Sequence, residues 1–101
     1  MKRLSIIVFI TLLILANSAF AANVEGTVSH ADTGEPVAYA LVIFVLDDNE
    51  VARKITGDDG YYFIRNISEG TYTVRILYRE ETREFSDIVV GPSGGTFNFE
   101  I

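Results

Sequence analysis

The chain has 101 residues, 14 acidic and 8 basic side chains, a net charge of −6 and no cysteine. That length holds one domain at most, which excludes a multidomain enzyme. The acidic balance argues against a nucleic-acid partner, and the missing thiols leave neither disulfide staples nor thiolate metal sites.

The first element is a leader. Met1-Lys2-Arg3 is basic, and Leu4 to Ala16 is an apolar run broken only by Ser5 and Thr11. Asn17-Ser18-Ala19-Phe20-Ala21 then closes with an Ala-x-Ala ending. This order is that of a secretory signal peptide, residues 1–21, cleaved between Ala21 and Ala22. The run is shorter than the roughly 20 residues a membrane-spanning helix needs. No cysteine follows it to carry a lipid. The expected product is therefore a domain at 22–101, secreted or periplasmic, with no membrane insertion after cleavage. Loss of Lys2 and Arg3 leaves six basic against fourteen acidic side chains, a net charge of −8.

The rest is rich in Val, Ile, Tyr, Phe and Thr, with Gly, Pro, Asp or Asn breaking the chain roughly every eight to twelve residues. A first strand spans Asn23 to His30, with Val24, Gly26 and Val28 on one face. Ala31 to Pro36 is a loop. A second strand runs from about Val37 to Leu46 and is apolar on both faces, Val42, Phe44 and Leu46 against Leu41, Ile43 and Val45. Asp47-Asp48-Asn49-Glu50 turns into a third strand, Val51 to Thr56, which ends at the tight-turn signal Gly57-Asp58-Asp59-Gly60. Tyr61 to Arg65 is a short fourth strand, and Asn66 to Gly70 connects it to a fifth at Thr71–Arg79. Glu80 to Glu84 reads as a solvated connection, Phe85 to Val90 as the sixth strand, and Thr96 to Ile101 as the seventh. The expectation is all-β: a seven-stranded two-sheet sandwich.

Gly26-Thr27-Val28, Thr33-Gly34-Glu35-Pro36-Val37, Ala40-Leu41-Val42, Asp58-Asp59-Gly60-Tyr61-Tyr62 and Gly70-Thr71-Tyr72-Thr73-Val74 together resemble the carboxypeptidase regulatory-like domain. The resemblance covers nearly all of the mature chain. It implies a transthyretin-like Greek-key sandwich with a carbohydrate-binding-like fold, serving as a structural or adhesive module. A shared fold is only an analogy for function. Transthyretin-like hydrolases of 5-hydroxyisourate depend on several histidines and a characteristic C-terminal tail. This chain has one histidine and ends Asn98-Phe99-Glu100-Ile101.

The residues offer little chemistry. Ser29, His30 and Asp32 are the types of a hydrolytic triad, yet neighbours on a strand point to opposite faces. No catalytic residue and no cofactor is expected. An intramolecular Lys–Asn staple, found in related adhesins, would need Lys54 and Asn98 buried together, and both read as solvent-facing. Asp47, Asp48, Asp58 and Asp59 supply oxygens of the kind calcium takes, but aspartate also favours turns, so no metal site is assigned. Asn66-Ile67-Ser68 fits a glycosylation acceptor in a host that glycosylates.

Departures from the family pattern carry more. Leu41, Ile43 and Val45 are expected to form an apolar outer stripe, extended by Leu77 and buried on association with a protein partner or a second copy. As an alternative, Tyr61, Phe63, Arg65 and Tyr78, with Asn98 as a polar partner, are candidate carbohydrate contacts.

Overall fold

The computed structural model describes residues 21–101, which contain eight strands and no helix. The expected signal peptide, apart from Ala21, lies outside the described residues. The strands are β1 (Ala21–Ser29), β2 (Leu41–Leu46), β3 (Asn49–Ile55), β4 (Tyr61–Ser68), β5 (Gly70–Tyr78), β6 (Glu81–Val90), β7 (Gly95–Thr96) and β8 (Phe99–Glu100).

Alternation decides where each strand lies. In β1, Ala22, Val24, Gly26 and Val28 are buried while Asn23, Glu25 and Thr27 are exposed. β1 is the centre of one sheet, with β4 antiparallel on one side and β7 and β8 parallel on the other. The second sheet has the order β3-β2-β5-β6, antiparallel throughout. Val24, Val28, Tyr62, Ile64 and Ile67 from the first sheet meet Val42, Phe44, Tyr72, Val74 and Ile76 from the second in one core. Phe44 packs edge-on against Tyr72, with ring centroids 5.6 Å apart, and at 6.3 Å from Tyr62. With no disulfide to restrain the chain, this packing carries the fold.

Two close approaches require glycine. A Cβ on Gly26 would stand 1.8 Å from the Phe97 carbonyl oxygen, so no other residue lets the C-terminal segment lie against β1. At Gly60 the backbone is left-handed, φ 77°, and a Cβ would stand 2.6 Å from the Val28 carbonyl oxygen.

Several boundaries differ from the sequence reading. The second strand begins at Leu41, not Val37, because Ala38 and Tyr39 turn, with Tyr39 at φ 62°. Val37 and Ala40 are buried all the same, held by Thr56. The Thr56 hydroxyl accepts from the Ala40 N–H and donates to the Val37 carbonyl, each at 2.9 Å. The fourth strand continues to Ser68 through a bulge at Asn66, φ 59°, whose N–H donates to the Asn23 side chain at 3.1 Å. Only Glu69 separates β4 from β5, although they belong to different sheets. Tyr72 braces that corner by donating its hydroxyl to the Ser68 carbonyl at 2.6 Å.

The charged segment expected as a connection is strand: Glu81 to Glu84 pair with Tyr78 to Arg75, and Arg79 and Glu80 alone make the turn. The last strand is broken into β7 and β8. Across the break the Asn98 side chain accepts from the Thr27 N–H at 2.9 Å, standing in for a ladder carbonyl.

Candidate functional site

The outer face of the second sheet is built in cross-strand rows. One row is Ile55–Leu41–Leu77, the next is Arg53–Ile43–Arg75–Glu84, and a third holds Glu50, Val45 and Thr73. The expected stripe of Leu41, Ile43 and Val45 is not open along its length. Ile43 is only 5% exposed and Val45 9%. The reason lies in register: Ile43 is flanked by Arg53 and Arg75, long side chains whose stems cover apolar neighbours. Each arginine is pinned across the face. Arg53 donates twice to Glu50, both at 2.6 Å, and Arg75 Nε donates to Glu84 at 2.9 Å. The Arg53 guanidinium holds the Glu50 carboxyl below its ordinary range.

The apolar surface that does remain runs across the strands. Leu41 and Leu77 are half-buried, and Ile55, at the sheet edge, is 58% exposed. Leu41 and Ile55 line a shallow depression with Arg53 and Lys54. Tyr39, two residues before Leu41, is 70% exposed. Sequence reasoning missed Ile55, which follows two charged residues and shows its role only once the register sets it opposite Leu41.

The carbohydrate candidates do not gather in one place. The Tyr61 hydroxyl donates to Glu25 at 2.7 Å, a bond that raises its pKa and occupies the phenol. Phe63 and Arg65 lie further along β4, the guanidinium carbon 6.0 Å from the ring centroid. Together with Ala52, Arg53 and Lys54 of β3 and Ile64, they line a trough of about 400 Å³ where the edges of the two sheets meet. Tyr78 lies elsewhere, at the end of β5. His30 packs edge-on against it at 5.7 Å, and Arg79 stands 5.0 Å over its ring. Its surroundings form a separate depression with Asp32, Glu81, Arg83 and Glu100. Asn98, bonded to Thr27, belongs to the break between β7 and β8.

The remaining groups have structural work. Asp59 accepts from the Tyr61 N–H at 3.0 Å and so closes its turn, while Asp47 and Asp48 adopt φ of 50° and 63° in the β2–β3 hairpin. Among the described residues no three His, Asp or Glu side chains come together as a metal cluster. Lys54 is exposed on β3 and Asn66 is exposed at its bulge. Tyr62, buried, donates to the Phe97 carbonyl at 2.7 Å, and desolvation pushes its pKa up. No helix among the described residues is long and apolar enough to cross a membrane.

The glycines at 26 and 60, the Thr56-braced loop and the Tyr72 corner are the positions carried by the motifs quoted from the sequence. The family model of the carboxypeptidase regulatory-like domain matches residues 23–100. The chain belongs to that family. No curated protein matches its sequence.

Solved structures share the fold of this regulatory-like domain. A candidate carbohydrate-binding protein from Bacteroides uniformis matches with a TM-score of 0.65 at 20% identity, over 79% of this chain and 40% of that one. A cohesin–X-dockerin complex from Acetivibrio cellulolyticus gives 0.61 at 25% identity, over 77% and 52%. Fervidolysin of Fervidobacterium pennivorans, a keratinolytic enzyme related to subtilisin, gives 0.59 at 19% identity, over 76% and 16%. The chain thus spans about half or less of each of these proteins, and the likeness is one of fold.

Proposed function

We propose that this regulatory-like domain is an exported, non-catalytic contact module that associates through the outer face of its second sheet. The observation that carries the reading is the apolar row Ile55–Leu41–Leu77 bordered by the pairs Arg53–Glu50 and Arg75–Glu84. A border carrying both signs is self-complementary under a twofold axis, where each arginine can meet a glutamate of the other copy. The occupant this favours is a second copy of the chain.

Contact by the face is favoured over contact by the edges. β3 is an edge strand with a bulge beside Val51 and with Glu50, Arg53 and Lys54 along it. β6, the opposite edge, has a bulge at Asp87 and carries Glu81, Arg83 and Glu84. Charges and bulges are the devices that keep edges from adding strands.

Size-exclusion chromatography with light scattering tests the reading. The wild-type domain should show a concentration-dependent dimer, and Leu41→Glu combined with Ile55→Glu should give a monomer with an unchanged circular dichroism spectrum. A wild-type protein monomeric at every concentration, or a dimer indifferent to both substitutions, would overturn it.

A further inference from the structure

We infer that the trough between β3 and β4 is a binding site for an acidic polysaccharide, one whose sugar units carry carboxylates. The trough adjoins the apolar row, with which it shares Arg53 and Lys54, but Phe63 and Arg65 belong to it alone, and its charge is opposite to that of the molecule. Only six basic residues follow residue 21, and three of them, Arg53, Lys54 and Arg65, line this one trough. No carboxylate lines it. Arg53 is neutralised by Glu50, whereas no carboxylate lies within ion-pair distance of Lys54 or Arg65 among the described residues. A chain with a net charge of −6 thereby presents two uncompensated cations side by side.

The contrast with the depression around Tyr78 sharpens the assignment. That depression also has an aromatic ring and two arginines, Arg79 and Arg83, but Asp32, Glu81 and Glu100 share its lining. Its two arginines are outnumbered by three carboxylates, whereas no carboxylate lines the trough.

The floor of the trough narrows the ligand class. Phe63 is half-buried, and the Arg65 guanidinium stands over its ring, 6.0 Å from the centroid. An aromatic ring with cations against it offers apolar contact to the C–H groups of a sugar ring while the sugar's carboxylate meets the arginine or lysine. An acidic peptide is the competing anion. An extended peptide would take most of its affinity from a free ladder edge, and both edge strands here are interrupted by a bulge, β3 beside Val51 and β4 at Asn66. A polysaccharide uses no ladder, so the obstruction does not affect it.

Calorimetric titration at low salt decides the matter, with a short oligogalacturonate, a neutral oligosaccharide of equal length, and polyglutamate as probes. Oligogalacturonate should bind, and the neutral oligomer should bind at least about tenfold more weakly. Added salt should weaken the interaction, as screening of exposed charges requires. Arg65→Ala, Lys54→Ala and Phe63→Leu should each cost a large part of the affinity, the paired Arg65→Ala/Lys54→Ala variant at least about tenfold. Arg79→Ala with Arg83→Ala should leave it unchanged, and melting curves confirm that each variant folds. The face variant Leu41→Glu/Ile55→Glu should still bind, which separates this site from the dimer. The assignment is overturned by an absence of oligogalacturonate binding, by polyglutamate binding as tightly, or by a loss that follows Arg79 and Arg83 instead of Arg65.

Discussion

Thr56 shows how one side chain can replace a stretch of strand. Between Pro36 and Leu41 the chain leaves the ladder, yet Val37 and Ala40 remain fully buried. Buried peptide groups need partners, and the Thr56 hydroxyl supplies one to each of two of them. Its backbone completes the brace, donating to the Ala40 carbonyl at 2.8 Å and accepting from the Tyr39 N–H at 3.1 Å. Thr56→Val keeps the shape and removes both hydroxyl bonds, leaving the Ala40 N–H and the Val37 carbonyl without that partner. The expected loss is about 1–3 kcal/mol, read from urea unfolding monitored by circular dichroism. A change within error would show that the loop is held by its backbone bonds alone. Gly26 makes the complementary point, since its value lies in an absent side chain.

At the scale of elements, the hairpins and bulges set which residues share a face. The β2–β3 turn is Asp47-Asp48, both left-handed, as the two-residue turn matched to strand twist requires. Aspartate tolerates that backbone but does not favour it, so Asp48→Gly should stabilise the domain by about 0.5 kcal/mol. A thermal melt shows this as a small rise in Tm, and a fall would mean that the Asp48 side chain contributes more than its backbone costs. Beyond the turn, the bulge beside Val51 moves Glu50 onto the face of Arg53, which makes their double hydrogen bond and the cover over Ile43 feasible. Periodicity alone could not anticipate this, because a bulge changes the phase of the strand by one residue. The same holds for β4, where the bulge at Asn66 carries the strand on to Ser68 and sets up the single-residue corner to β5.

For the whole molecule, the absence of cysteine becomes a statement about stability. A sandwich held by packing, with its glycines and hydroxyls as braces, should melt at the same temperature with and without dithiothreitol. A shift on reduction would point to a contaminating cross-link or a bound component. Charge behaves differently at this scale than along the chain. The acidic excess is spread over loops and edges, while three of the six cations that follow residue 21 line one trough between two sheet edges.

The sequence by itself determined the class, the family and most of the core. Val24, Val28, Tyr62, Tyr72, Val74 and Ile76 are readable because alternation in a strand is local, and the family motifs mark turns whose demands on glycine are local too. It also placed Leu41 and Leu77 on an outer face and Phe63 beside Arg65. Only the tertiary structure decided which outer residues stay open. Ile43 and Val45 read as exposed apolar residues until the register sets Arg53 and Arg75 beside Ile43, and Ile55 joins the surface only through its pairing with Leu41. The trough likewise has no trace in the chain order, since Lys54 and Arg65 come together because two sheets end side by side. Exposure and charge clustering are sums over neighbours distant in sequence, and a local pattern does not contain them.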